Sequence, residues 1–88
     1  MKSRLKEEFT ESLQLPKDLM LGAVIVTATG NREVYVENYK GILEYSEDKV
    51  KLQTKHCNLT ICGKNLVISY YTNDEMKISG CIQSIRYS

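Results

Sequence analysis

This chain has little of what most enzymes and nucleic-acid binders are built from. Its 88 residues include one histidine, one proline and three cysteines, with five glycines scattered along the length. Lysine plus arginine number 12 against 11 acidic residues, a net charge of +1. No whole-molecule basic field therefore exists to gather nucleic acid, and no acidic field to repel it. Long hydrophobic runs are also missing. The longest, Leu19 to Val26, has Gly22 inside it and falls far below the roughly 20 residues that a membrane helix needs. The opening MKSRLKEEFTESLQLP is charged and has no continuous apolar stretch, unlike a secretory signal. Without such a signal, Cys57, Cys62 and Cys81 read as reduced thiols in a soluble, cytoplasmic protein. A chain this short buries only about 60% of its unfolded surface, or a little more. One domain over 1–88 is expected, a cleft between two lobes is excluded, and self-association becomes an attractive source of further burial.

The same scarcity limits chemistry. His56 is the sole histidine and Cys57 follows it directly, but adjacent residues on a strand point to opposite faces, which is poor placement for a nucleophile and its base. His56, Cys57, Cys62 and Cys81 include no Cys-x-x-Cys spacing, so zinc is not expected. The carboxylate pairs Glu7/Glu8, Glu47/Asp48 and Asp74/Glu75 fall in helix or turn contexts, where they stay solvated. The glycines are too dispersed for a phosphate-binding loop. The expectation is a protein that is not an enzyme, with no cofactor, no metal and no small-molecule substrate.

What is present is periodicity. Leu5, Phe9 and Leu13 recur every fourth residue, while Lys6, Glu7, Glu8 and Glu11 face elsewhere. That pattern predicts a short helix over 3–14, capped by Ser3 and stopped before Pro16. Its apolar stripe would pack on the domain or dock a partner. From Leu21 the period becomes two. Val24 and Val26 alternate with Ile25 and Thr27, and Thr29-Gly30-Asn31-Arg32 reads as a tight turn. Val34 and Val36 oppose Glu33, Tyr35 and Glu37, after which Asn38-Tyr39-Lys40-Gly41 reads as the next turn, with Gly41 supplying a positive φ.

Ile42 to Tyr45 and Lys49 to Lys55 follow, the latter with Val50 and Leu52 on one face and Lys49, Lys51, Gln53 and Lys55 on the other. Cys57, Leu59 and Ile61 share a face. Gly63-Lys64-Asn65 reads as a turn before Leu66, Ile68 and Tyr70. Met76, Ile78, Gly80 and Ile82 stay in phase but Ile85 does not, which calls for a bulge or bend near Gly80–Ser84. The fold expected is mainly β: an antiparallel meander of about seven or eight short strands over 21–87. It would form a roll, small barrel or two-layer sandwich behind the N-terminal helix.

A small β barrel raises the question of RNA. Lys49, Lys51 and Lys55 make a basic ridge, and Tyr35, Tyr39, Tyr45, Tyr70 and Tyr71 could stack on bases. The layout is superficially Sm-like, with Ile61-Cys62-Gly63 near that family's Arg-Gly turn. Cys62 stands where the arginine should be, and the near-neutral charge argues the same way. A Sm-like or other β-barrel RNA binder is the alternative reading.

A different resemblance covers more of the chain. Gly30-Asn31, then Tyr35-Val36-Glu37-Asn38-Tyr39-Lys40-Gly41-Ile42-Leu43-Glu44-Tyr45, then Gly63-Lys64-Asn65-Leu66-Val67-Ile68 stand in order. Leu15-Pro16-Lys17-Asp18 precedes them and Ile78-Ser79-Gly80-Cys81-Ile82-Gln83-Ser84-Ile85 closes the set. Together they resemble the YabP/YqfC family of sporulation proteins, the YqfC branch more closely. One departure is that Leu21-Gly22-Ala23-Val24 occupies a point where that family commonly has a second proline.

The resemblance implies a mother-cell protein that contributes to spore coat and cortex assembly as a scaffold or adaptor. Its partners would be other proteins of the spore-forming machinery, some membrane-associated, or further copies of itself. No catalytic residues come with the family. Gly30, Gly41, Gly63 and Gly80 are then expected to serve turns or a bend. The Tyr39-Lys40 loop, the Lys49/Lys51 ridge and the stripe of Leu5, Phe9 and Leu13 are left as candidate contact surfaces.

Overall fold

The computed structural model describes residues 21–88. The helix expected over 3–14, with Leu5, Phe9 and Leu13, lies outside the described residues. Within them the chain forms six strands: β1 (Ile25–Thr29), β2 (Glu33–Glu37), β3 (Tyr39–Tyr45), β4 (Lys49–Thr54), β5 (Asn58–Tyr71) and β6 (Glu75–Tyr87). All pair antiparallel in one open sheet of order β1-β2-β6-β5-β4-β3. Strands β3 to β6 run as the expected meander, whereas the β1–β2 hairpin adds to the far side of β6.

The count is six rather than seven or eight because Gly63-Lys64-Asn65 is not a turn. β5 runs straight through it as a 14-residue strand. Asn65 takes a φ of 55°, and the register with β6 slips between Lys64 and Val67. That bulge absorbs one residue. The inward series Leu59, Ile61, Gly63 therefore resumes at Leu66, which is buried, instead of turning outward. A second slip lies where the sequence calls for it. Cys62 pairs with Ser84 but Gly63 with Ile82, so Gln83 is the extra residue that brings Ile85 back toward the core.

Asn38-Tyr39-Lys40-Gly41 is likewise no four-residue turn. The chain does not reverse there: β2 and β3 run in the same sense, and it only bends at Asn38, whose φ is 70°, while Gly41 has no positive φ. Asn38 is held on both sides: its N–H donates to the Asp74 carbonyl at 2.6 Å, and its Nδ2 donates to the Ala23 carbonyl at 2.9 Å. A short polar side chain that hydrogen-bonds locally tolerates this left-handed conformation better than most. Gly30 does supply a tight reversal, between β1 and β2, with a φ of 55° and the Arg32 N–H donating to Thr29 O at 3.3 Å.

β2 and β3 are separated by one residue, yet three strands, β6, β5 and β4, stand between them in the sheet order. This is satisfied by curling the sheet. Both long strands change partners midway: β5 pairs with β4 only as far as Cys62, and β6 pairs with β2 only as far as Ser79. The inner faces of the two halves then meet in one core of Val34, Val36, Met76 and Ile78 with Val50, Leu52, Leu59 and Ile61, joined by Tyr39 and Leu66. Each such aliphatic side chain, fully removed from water, contributes roughly 1.5–3 kcal/mol.

Candidate contact surface

Among the described residues, those expected to face a partner, Tyr39, Lys40, Lys49 and Lys51, do not gather into one patch. Tyr39 pairs with Thr54 and is only 6% exposed; its phenol donates to the Thr72 carbonyl. The expected exposed Tyr39-Lys40 loop is thus corrected. A bend at a single residue, in place of a turn, puts Tyr39 inside β3 with its ring in the core, and Lys40 alone remains at the surface. Burial, then Tyr71 and Asp74, push the Tyr39 hydroxyl's pKa up.

Lys49 and Lys51 lie on the outward face of β4, opposite to Val50 and Leu52. The ladders place Lys51 beside Thr60 of β5 and Thr60 beside Arg86 of β6. Arg86 thereby joins the ridge, a neighbour that a strand-by-strand reading does not bring to it. Glu44 pairs across from Lys51, and its carboxylate is 3.5 Å from Lys49 Nζ. An exposed pair of this kind contributes at most about 1 kcal/mol, but it neutralises part of the ridge. Lys55 is occupied elsewhere, its ammonium donating to the Leu21 carbonyl at 2.9 Å.

A second surface was not legible in the sequence. Ile42 pairs with Leu52 and Tyr45 with Val50, while Tyr71 pairs with Met76. Directly paired residues share a face, and all three partners are fully buried. Ile42, Tyr45 and Tyr71 are nevertheless 43%, 52% and 65% exposed. These half-exposed side chains lie at the rim of the core, where β3 passes the second half of β5. There the Ile68 N–H donates to the Tyr45 hydroxyl at 3.2 Å, and the Leu66 N–H to the Glu47 carbonyl at 2.8 Å. A side chain and a turn carbonyl replace a strand ladder. The sequence signal for Ile42 to Tyr45 is that of an ordinary strand, and nothing local marks its edge position.

The outer face of β2 and β6 carries Tyr35 and Glu75, joined by a hydrogen bond from the phenol to the carboxylate. That bond, with burial and the charges of Glu75 and Glu37, raises the Tyr35 pKa to about 12. Lys77 pairs with Glu33 at 3.3 Å on the same face. His56 is exposed at the β4–β5 reversal. The Cys57 thiol there lies 3.3 Å from Thr54 Oγ1, and Thr54 Oγ1 also donates to the Cys57 carbonyl at 2.6 Å. Among the described residues, no three His, Cys, Asp or Glu side chains converge as metal ligands. No helix among them is long and apolar enough to cross a membrane.

Among the described residues, these features define a small β protein built from one curled antiparallel sheet, with edge strands β1 and β3 and half-exposed apolar side chains at the rim of its core. A model of the YabP family matches residues 22–88, which takes in every strand. The chain is 36% identical over 86 residues to the uncharacterized protein YqfC of Bacillus subtilis (strain 168), spanning 98% of this chain and 92% of that one. No solved structure matches. The chain belongs to the YabP/YqfC family, which is linked to sporulation.

Proposed function

We propose that this is a non-enzymatic sporulation protein, a mother-cell scaffold or adaptor that contributes to assembly of the spore envelope, coat or cortex, through protein–protein contacts. The observation that carries the reading is the family membership, with a YqfC relative aligned over nearly the whole chain. The surface is consistent with it. What the described residues offer is edge strands and the half-exposed apolar side chains Ile42, Leu43 and Tyr45, features suited to binding another protein. The partners in this reading are proteins of the spore-forming machinery, some at the forespore membrane, together with further copies of the chain. Its place is the mother-cell cytoplasm at the forespore periphery.

A fluorescent fusion followed in the native host through growth and sporulation tests the proposal. The expected result is a signal that appears only after sporulation begins, in the mother cell or around the forespore. Constant vegetative expression spread through the cell would overturn it.

A further inference from the structure

The two edges of the sheet are not equivalent. β3 is bulged twice against β4 and carries the charges of Lys40 and Glu44, both of which oppose further pairing. β1 pairs with β2 in unbroken register from Ile25–Glu37 to Thr29–Glu33. Its sequence, IVTAT, contains no charge and no proline. Natural edge strands normally carry a charge, a proline, a bulge or a cover that blocks further pairing, and among the described residues β1 has none of these. Its inner row is apolar and unfinished. Val26 pairs with buried Val36 and packs only partly against the core, and Ala28, paired with buried Val34, is exposed.

We infer that β1 pairs antiparallel with β1 of a second copy of this chain, about a two-fold axis through Thr27. An incoming strand must be uncharged, apolar on alternate inward positions and β-branched or polar outward, and β1 is itself such a strand. The symmetric register sets Thr27 opposite Thr27, Ile25 opposite Thr29 of the second copy, and Val26 opposite Ala28. Cross-strand pairs of these kinds are favourable, and no like charges meet. The inner apolar row then continues from one copy into the next, and the interface is isologous and closed. Two five-residue strands bury less than the about 1,200 Å² of a stable interface, so the dimer forms at high protein concentration and dissociates on dilution. This deepens the adaptor reading by naming the partner and rests on that reading only for its use in the cell.

Sedimentation analysis of the full chain across a wide concentration range tests it, alongside Thr27→Lys and Thr27→Glu. Residue 27 is exposed, so both variants should keep the wild-type circular dichroism spectrum and melting curve. The expected result is a monomer–dimer equilibrium for the wild type. Each variant alone, with like charges on the axis, weakens it roughly tenfold or more, and mixing the two variants restores the dimer. A wild type that stays monomeric at the highest concentration overturns the proposal. So does a dimer whose constant is the same in Thr27→Lys, which would place the interface elsewhere. A dimer in solution combined with vegetative, dispersed expression would keep this interface and remove the sporulation role.

Discussion

Gly63 of β5 lies directly under the backbone carbonyl of Cys81 in β6: a Cβ built on Gly63 would stand 2.0 Å from that oxygen. The relation is nearly reciprocal, since a Cβ on Gly80 would stand 2.6 Å from the Asn65 carbonyl. Two glycines on neighbouring strands thus let the long strands cross closely where both exchange partners. Gly80 also has a φ of 139°, a conformation that side chains rarely adopt.

Substitution at this crossing should be far more damaging than at the other glycines. Gly63→Ala forces backbone apart and is expected to cost about 3 kcal/mol or more. Gly41→Ala, with only Gln53 Oε1 at 4.0 Å, should change stability by no more than about 0.5 kcal/mol. Urea denaturation of the two variants checks the contrast, and equal midpoints would mean that the crossing can relax.

The Tyr39 hydroxyl ties the first residue of β3 to the far end of β5, donating to the Thr72 carbonyl. Tyr39→Phe keeps the buried ring and removes the tie, so a loss of about 0.5–1.5 kcal/mol is expected. Hydrogen exchange should meanwhile quicken where β3 passes β5, most visibly at Ile68. A loss spread evenly over the sheet would contradict the localised role.

Alkaline pH should weaken the fold through two phenols. Tyr35 titrates at about 12, held up first by its bond to Glu75, and Tyr39 is raised chiefly by burial. Both hold their protons more tightly in the folded chain than at the ordinary value of about 10. Both contributions are therefore complete below pH about 10; that of Tyr35 disappears as pH rises through about 12, and that of Tyr39 is likewise lost on going alkaline. Denaturation midpoints against pH, with tyrosinate absorbance read in parallel, check this. Tyr35→Phe should shallow the fall.

At the β4–β5 reversal, Thr54 is buried and its hydroxyl both donates to the Cys57 carbonyl and accepts from the Cys57 N–H. Thr54→Val removes both bonds and leaves the Cys57 N–H without its partner, while the Cys57 carbonyl keeps the Thr54 N–H; a cost of about 1–3 kcal/mol is expected. His56→Ala, exposed at the same bend, should be within about 0.5 kcal/mol of wild type. Thermal melts of both variants separate a structural turn from a functional histidine.

Much of the sheet was legible because alternation is local. Val50 and Leu52 against Lys49 and Gln53 describe β4 as it stands, and the phase slip before Ile85 announces the bulge at Gln83. Turn chemistry was harder. Gly-Lys-Asn has the composition of a reversal, yet Asn65 uses its positive φ for a bulge inside β5. Where four residues were expected to turn, the chain only bends at Asn38, and that difference carries Tyr39 from an exposed loop into the core.

By itself, the period-two pattern determined which segments are strands and which side of each is apolar, since successive side chains on a pleated backbone must point opposite ways. The tertiary structure alone decided that β2 lies beside β6, with Val36 against Met76, and that β3 passes the second half of β5 at the rim of the core. Those pairings join residues far apart in the chain. They are selected by closing one common core around bends at Gly63 and Gly80, not by any preference of the segments themselves.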